Sequence, residues 1–405
     1  MKIICTIALL FASMESSHAD GWLQKSDFIG NNKSSAVGFS INGKGYIGTG
    51  GSETGFFLKE FWEYNPTLDA WSQKADFGGA GRGSAVGFAI GNKGYIGTGQ
   101  IGLYDPCIND FWEYDPTTNM WTQKADFPIC RTQAFSFSIG NKGYIGGGDD
   151  GYIVYADLWE YDPSTDMWAQ KADCAAGVRN NPATLTIGNK GYVGTGDGPY
   201  GVLQKDFWEY DPATNVWTQK TDFGGEARRS AFGFSIGNIG YIGLGRLDLQ
   251  IYTNDVWQYD PALDQWSEKM AYPGNGRAFV SGFSIGSVQY LGIGYDGNGG
   301  SESDFWEYSP DSATFIQKYT MNAAFTIFPN PFSEFTTISC SLNKNTSATI
   351  NLLESSGRKI KTLLNENLAA GKHELLLNRD QLSPGIYFLQ VKMNDETSIM
   401  KIVIQ

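Results

Sequence analysis

Asp110-Phe111-Trp112-Glu113-Tyr114-Asp115-Pro116-Thr117-Thr118-Asn119-Met120-Trp121-Thr122-Gln123-Lys124 decides the fold, because its pattern recurs along the chain. Its leading half returns at Glu60 to Tyr64, Asp157 to Tyr161, Asp206 to Tyr210, Asp255 to Tyr259 and Asp304 to Tyr308, at intervals of 47 to 50 residues. A period of that length marks an array of small units, none able to bury its apolar surface alone. What every unit carries is scaffold. What one unit changes is where function is sought.

Working outward from this stretch gives one complete unit. Ser84 to Ile90 is a short run of apolar and small residues, and Gly91-Asn92-Lys93-Gly94 is hairpin chemistry whose glycines permit positive φ. Tyr95 to Gly99 is a second run. A loop leads to Phe111-Trp112-Glu113-Tyr114, the turn Asp115 to Asn119, and a last run at Trp121 to Lys124. Four antiparallel strands with apolar groups on both faces describe a blade packed between neighbours. The expectation is an all-β chain whose main part is a six-bladed β-propeller. An extra fourth-strand copy, Trp22 to Phe28, precedes the first unit and is expected to close the ring, removing a free edge. Phe315-Ile316-Gln317-Lys318 competes for the same place, and the sequence leaves the choice open.

These units resemble the kelch family. Its Tyr-x6-Trp spacing stands here as Tyr64…Trp71, Tyr114…Trp121, Tyr161…Trp168, Tyr210…Trp217 and Tyr259…Trp266, with Tyr308…Phe315 as a worn copy. The family's double glycine survives as Gly147-Gly148 and elsewhere reads Thr49-Gly50, Thr98-Gly99, Thr195-Gly196, Leu244-Gly245 or Ile293-Gly294. The resemblance covers residues 21 to 318 and implies fold more than activity, since kelch propellers include enzymes and binding modules.

After Thr320 the rhythm changes. Phe328-Pro329-Asn330-Pro331-Phe332, the turn Ser355-Ser356-Gly357-Arg358, Leu368 to His373, Leu382 to Phe388 and the closing Met400 to Ile404 follow in order. Together they resemble the type A sorting domain of the type IX secretion system. That resemblance implies a small immunoglobulin-like antiparallel sandwich, a Bacteroidota-type host and export across the outer membrane. Lys2, the apolar Ile3 to Ala12 and Ser17-His18-Ala19 read as a secretory signal. The expected organisation is a signal peptide at 1–19, the propeller at 20–320 and the sorting domain at 321–405. No segment is long and apolar enough to span a bilayer.

The net charge of −13 argues against nucleic acid and anionic lipid as partners. The only histidines are His18 and His373, outside the units, so His-based zinc sites and Ser-His-Asp catalysis have no ligands or base here. The copper oxidases among kelch relatives are excluded for the same reason, and no Asp-box turn of the sialidase kind is present. No metal and no cofactor is expected. Asp296 to Asp304 places oxygens at alternate residues like the start of a calcium loop, but lacks the later bidentate Glu, and reads as a polar surface loop.

In such blades the second-to-third loops and the fourth-to-first connections share one face, and the variation lies there. Those loops carry Tyr104, Tyr152, Tyr155, Tyr200, Tyr252 and Tyr295 beside Asp149, Asp150, Asp197, Asp248 and Asp296. Aromatic rings next to carboxylates suit stacking on sugars and bonding to hydroxyls; the alternative is that the rings merely cover the blade rims. One cation per unit, Lys33, Arg82, Arg131, Arg179, Arg228 and Arg277, stands eight residues ahead of the Ile that closes each first strand. These six either line the channel as an anion-binding ring or pin neighbouring blades. A Cys107–Cys130 disulfide is expected in an oxidising compartment, with Cys130–Cys174 as the rival pairing.

The function expected is a secreted or cell-surface module that binds an extracellular glycan or protein and meets the type IX machinery through its tail. The alternative is a carbohydrate-active enzyme resembling the kelch-type N-acetylneuraminate epimerases.

Overall fold

The structure is a computed structural model that describes residues 21–52, 55–102, 107–297, 300–310, 325–342, 344–354, 359–379, 382–393 and 396–404. The signal segment, Tyr104, Phe315 to Lys318 and the Ser355 to Arg358 turn lie outside the described residues. Two compact units divide the chain near residue 310. Among the described residues no helix is long and apolar enough to cross a membrane.

The first unit is a ring of six four-stranded antiparallel sheets. In the second blade Val86–Ile90, Lys93–Gly97, Phe111–Asp115 and Met120–Lys124 pair in chain order, and the other blades repeat this order. First strands alternate buried and half-buried residues, as in Val37–Ile41: Val37, Phe39 and Ile41 pack between blades while Gly38 and Ser40 line the axial channel. A side chain at Gly38 has no room, since an added Cβ would fall 2.4 Å from the Gly282 carbonyl of the adjoining blade.

Aromatic residues fasten each blade to the next. The third-strand Phe61, Phe111, Phe207 and Phe305 sit edge-on to Trp121, Trp168, Trp266 and Trp71 of the following blade, each at 5.0 Å between ring centres. Those indoles also donate backward across the interface, as Trp121 does to the Ala75 carbonyl at 3.2 Å. The turn before each Trp serves the same seam. The Asn119 side chain accepts both the Tyr114 hydroxyl at 2.8 Å and the Ala75 amide of the preceding blade at 3.0 Å. Asn119 adopts φ 54°, and Asp69, Asp166, Asn215 and Asp264 repeat that left-handed position, where short Asx side chains are tolerated.

The N-terminal strand closes the ring. Gly21–Lys25 pairs antiparallel with Phe305–Ser309, placing Trp22 opposite Tyr308. It reproduces two of the seam hydrogen bonds: Trp22 donates to the Met270 carbonyl at 3.1 Å, and the Ser26 amide reaches Asp69 at 3.0 Å. Trp22 also packs against Tyr272 and Tyr308 at 5.3 and 4.7 Å. First and last blades share one buried cluster including Phe28, Ile47, Tyr64, Trp71, Phe283 and Phe305.

The second unit has a three-stranded sheet (Phe325–Phe328, Phe335–Leu342, Gly371–Asn378) and a four-stranded one (Lys359–Leu368, Thr346–Glu354, Gly385–Met393, Glu396–Ile404). Their inward residues, among them Ile338, Leu342, Ile350, Leu352, Leu389 and Val391, form one core.

Trp22→Ala removes a large buried ring from the strand that seals the array, so it should lower unfolding free energy by about 3–5 kcal/mol. Urea denaturation measures the loss. Hydrogen exchange should show the amides of Phe305–Ser309 deprotected well before those of interior third strands such as Leu158–Asp162. Uniform protection in the variant would contradict closure by this strand.

Candidate functional site at the channel mouth

The repeated cations are part of the scaffold. Lys33 and Arg82, Arg131, Arg179, Arg228 and Arg277 are all at most 1% exposed. Each arginine grips the acid that opens its own blade's third strand with two parallel hydrogen bonds; Arg131 meets Asp157 at 2.5 and 2.6 Å. The pairs Arg82–Asp110, Arg179–Asp206, Arg228–Asp255 and Arg277–Asp304 repeat this grip. The same guanidinium donates to a carbonyl after the second strand, as Arg131 does to Gly147 at 2.6 Å. Meanwhile its backbone carbonyl accepts from the preceding blade: Gly99 N–H to Arg131 at 2.6 Å, and Gly148 N–H to Arg179 at 2.8 Å. One residue thus holds two blades.

The channel of about 560 Å³ is lined by first-strand residues such as Ser40, Ser138, Thr186 and Ser284, and by none of the six cations. An anion-binding ring of Lys33, Arg82, Arg131, Arg179, Arg228 and Arg277 is therefore corrected to a set of blade pins. Their charge is paired with carboxylates, and the arginines also donate to carbonyls.

The first blade differs from the other five. Lys33 meets Glu60 at 2.5 Å, and the longer Glu places its carboxylate on Asn31, at 2.9 and 3.0 Å, instead of on the indole beside it. In the others the Asp accepts from the neighbouring Trp, as Asp110 does from Trp112 at 2.8 Å; here the Trp62 indole N–H is buried without a hydrogen-bond partner. Burial holds the Lys33 amine below its ordinary range, against the raising effect of Glu60.

Just inside the mouth, the residues two positions after these cations form a closed circle of backbone hydrogen bonds. Ser84 donates to Ser35, Gln133 to Ser84, Asn181 to Gln133, Ser230 to Asn181, Phe279 to Ser230, and Ser35 back to Phe279, at 2.9 to 3.3 Å. Every one has positive φ, between 49° and 57°. Immediately outside the circle each blade contributes a two-residue antiparallel pair: Ser34 with Gly51, Gly83 with Gln100, Thr132 with Asp149, Asn180 with Asp197, Arg229 with Arg246, and Ala278 with Tyr295.

Here the sixfold pattern is broken. Asn180 donates to Asp149 of the preceding blade at 2.8 Å, and Arg229 to Asp197 of the preceding blade at 3.2 Å. Inside the circle, Asn181 donates to Gln133 at 2.5 Å. Burial raises the carboxyls of Asp149 and Asp197; hydrogen bonds from Gly151 and Asn180 oppose this at Asp149, and Arg229 and Arg246 oppose it at Asp197. Five buried polar atoms without a hydrogen-bond partner lie in this sector, Thr132 Oγ1, Asn180 Oδ1, Arg229 Nε, Ser230 Oγ and Arg246 Nε; Lys33 Nζ, Thr49 Oγ1, Trp62 Nε1 and Thr98 Oγ1 are others in the first two blades. Such atoms are uncommon in finished interiors and mark places where a ligand or water completes the bonding.

The loops outside this rim place the predicted tyrosines in different settings. Tyr152 and Tyr200 stand at loop tips, 96% and 103% exposed. Tyr200 is held there at φ 60°, a strained conformation for an aromatic residue. Tyr155 instead covers Arg131 at 4.2 Å and donates to Asp150 at 2.7 Å, while Tyr252 and Tyr295 pack edge to face at 5.7 Å. Between the loops of the fourth and fifth blades lies a cleft of about 1330 Å³, bordered by Val202, Leu203, Ile251, Tyr252, Lys205, Glu226, Asp248 and Asn254. Cys107 and Cys130 are bonded, tying the second blade's loop to the following pin, and Cys174 is a buried free thiol.

Arg229, Arg246, Asn180 and Asn181 were not singled out from the sequence. Aligning the units by phase exposes them. Only in the fifth blade does a second arginine follow the pin, and only there does an arginine follow the Thr-Gly-like pair.

Residues 326–405 match the family described as the secretion system C-terminal sorting domain. Among solved structures the chain resembles one titled "Structure of YjhT", a kelch β-propeller, with a TM-score of 0.59 and 17% identity over 69% of this chain and 95% of that one. No curated protein matches. The chain thus shares the β-propeller fold of that structure and ends in a sorting tail, which implies export through the type IX machinery to the outer surface or beyond.

The pins carry a pH signature. Burial alone would raise the Asp110 and Asp255 carboxyls, but bonds to Arg82 and Arg228 outweigh it and hold both below the ordinary range. Their contribution is complete above about pH 4, the unfolded carboxyl range, and is lost as pH falls through the depressed native values. Arg82→Gln should cost about 3–5 kcal/mol at neutral pH and flatten this acid limb, measured as melting temperature between pH 2 and 7. A variant with the wild-type acid limb would contradict the pin.

Proposed function

We propose that the protein is a secreted or surface-displayed, non-catalytic binding module that takes an extracellular glycan on its variable-loop face. One observation carries this reading: a repeat that is regular elsewhere loses its regularity at the channel mouth of the third to fifth blades. There, partnerless buried polar atoms occur on the same blades as exposed aromatic tips and an open cleft. Sugars ask for that mixture, with flat apolar faces for stacking and a rim of donors and acceptors for hydroxyls. A protein partner presses on the same tips but gains nothing from isolated polar atoms set behind them. The sorting tail supports an extracellular setting, where glycans are abundant ligands.

A second reading, a carbohydrate-active enzyme, draws support from Asp149 and Asp197, two carboxyls raised by burial at equivalent positions of adjacent blades. Raised carboxyls beside arginines are a frequent acid–base arrangement. Sugar turnover by the mature chain, abolished by Asp197→Asn with an unchanged melting temperature, would move the assignment to this second reading.

On a glycan array the mature full chain should bind a restricted set of saccharides. Tyr152→Ala and Tyr200→Ala together should weaken the best of them about tenfold, since each stacked ring contributes about 0.5–1.5 kcal/mol. An array without any bound saccharide, or a best ligand indifferent to both tyrosines, would contradict the proposal.

A further inference from the structure

The fifth blade carries the largest charge anomaly at the mouth. Arg229 and Arg246 face each other as a narrow antiparallel pair, with reciprocal backbone hydrogen bonds of 3.0 and 2.9 Å. Directly opposed residues of such a pair project to the same side, their Cβ atoms about 5 Å apart. Two arginine side chains therefore leave the backbone side by side on a protein whose net charge is −13. Like charges so placed repel unless an anion lies between or beside them.

The surrounding residues supply only half of that anion. At the mouth, the first member of each pair reaches back to the second member of the preceding one. Asn180 reaches Asp149, and Arg229 reaches Asp197. Continued one blade further, the relay needs an acid or acceptor to meet Arg246, but the sixth blade offers Ala278 and Tyr295. Among the described residues the Arg246 side chain has no hydrogen bond and no ion pair, though its charge reaches Asp197 and lowers that carboxyl. Its guanidinium lies 6.0 Å from the Tyr252 ring, and its Nε is buried without a partner. Arg229 is itself held loosely: both its contacts to Asp197, 3.2 and 3.5 Å, come from one Nη. Compare the pins, where two nitrogens meet two oxygens at 2.5 to 2.9 Å in the second and third blades. Arg131 and Arg179 also leave an Nε without a partner, so what sets Arg246 apart among the described residues is that its whole guanidinium is unpaired.

We infer that Arg229 and Arg246 form an anion subsite that takes a carboxylate or sulfate ester of a saccharide, with the Tyr252 ring as its apolar wall. The inference rests on the glycan-binding reading and specifies the ligand. A planar guanidinium matches two oxygens of either group, and a half-buried site strengthens that pairing over one in open water. Asp197 competes for Arg229, so the subsite also carries its own brake.

The test is calorimetric titration of the mature full chain with oligogalacturonate, a sulfated galactan oligosaccharide and a neutral galactan oligosaccharide. At least one anionic probe should bind ten times more tightly than the neutral one, and weaken as salt rises from 50 to 500 mM. Arg246→Gln should abolish that preference while the melting temperature stays within about 2 °C, and Asp197→Asn should tighten the anionic probe severalfold. Arg246→Lys, which keeps charge but loses the fork, should recover only part. The two source chemistries separate by which anionic probe prefers the site. Neutral and anionic probes binding alike, or wild-type binding by Arg246→Gln, would overturn the anion subsite and leave glycan binding intact. No binding of any probe, together with an empty array, would overturn both.

Discussion

A buried charge pair repeated around a ring is the constraint on which this molecule depends. Each pin residue is bonded through its backbone to one blade and through its side chain to the next, so it converts the sum of weak sheet contacts into a closed chain of strong ones. A buried ion pair is a poor source of net stability, because removing two charges from water costs nearly what their attraction returns. Its effect is on geometry. An arginine fork accepts a carboxylate in one orientation, and that orientation sets how each blade is inclined to its neighbour. The aromatic seams then fill the space the pins define. Ring closure places the same demand on the first and last blades, and Lys33–Glu60 meets it with different chemistry, at the expense of the Trp62 indole.

Because six copies meet the same demand, departures from the pattern are informative. The departures at the mouth are concentrated: Asp149, Asn180, Asp197, Arg229 and Arg246 occupy positions that hold Ser34, Gly51, Gly83 and Gln100 in the first two blades. Small, neutral residues suffice to build the rim. Charged ones at equivalent positions exceed what the rim requires, and the proposed ligand-facing role rests on that excess. Gln289 is the comparable break in the channel, where five other blades have Gly. Its amide is satisfied by the Tyr290 carbonyl at 2.7 Å and the Ser284 hydroxyl at 2.6 Å, so it fills space without inviting a ligand.

The two parts of the chain use opposite strategies. The propeller distributes its core over six similar interfaces, each with its own aromatic cluster. The sorting unit gathers one core between two sheets. A repeat array tolerates loop variation because each loop hangs from a self-sufficient seam, which is why loops such as those bearing Tyr152 and Tyr200 differ in composition while the Tyr-x6-Trp frame does not.

The sequence by itself determined the blade count, the strand order within a blade, the kelch resemblance and the sorting tail, because periodicity and spacing are local and survive without coordinates. It could not say whether Lys33 and the five pin arginines were free or consumed. Their partners, Glu60 and the acids opening the other third strands, lie 26 to 28 residues away, and only the curvature of the blade brings them into register. The choice of the N-terminal strand as ring closure was likewise tertiary, since Trp22 meets Tyr308 only after five other blades have turned the chain full circle. The Arg229–Arg246 pair belongs to both levels. Its residues stood in plain view as breaks in the repeat, yet their opposition, with the single Asp197 carboxylate beside them, exists only once the blades are assembled.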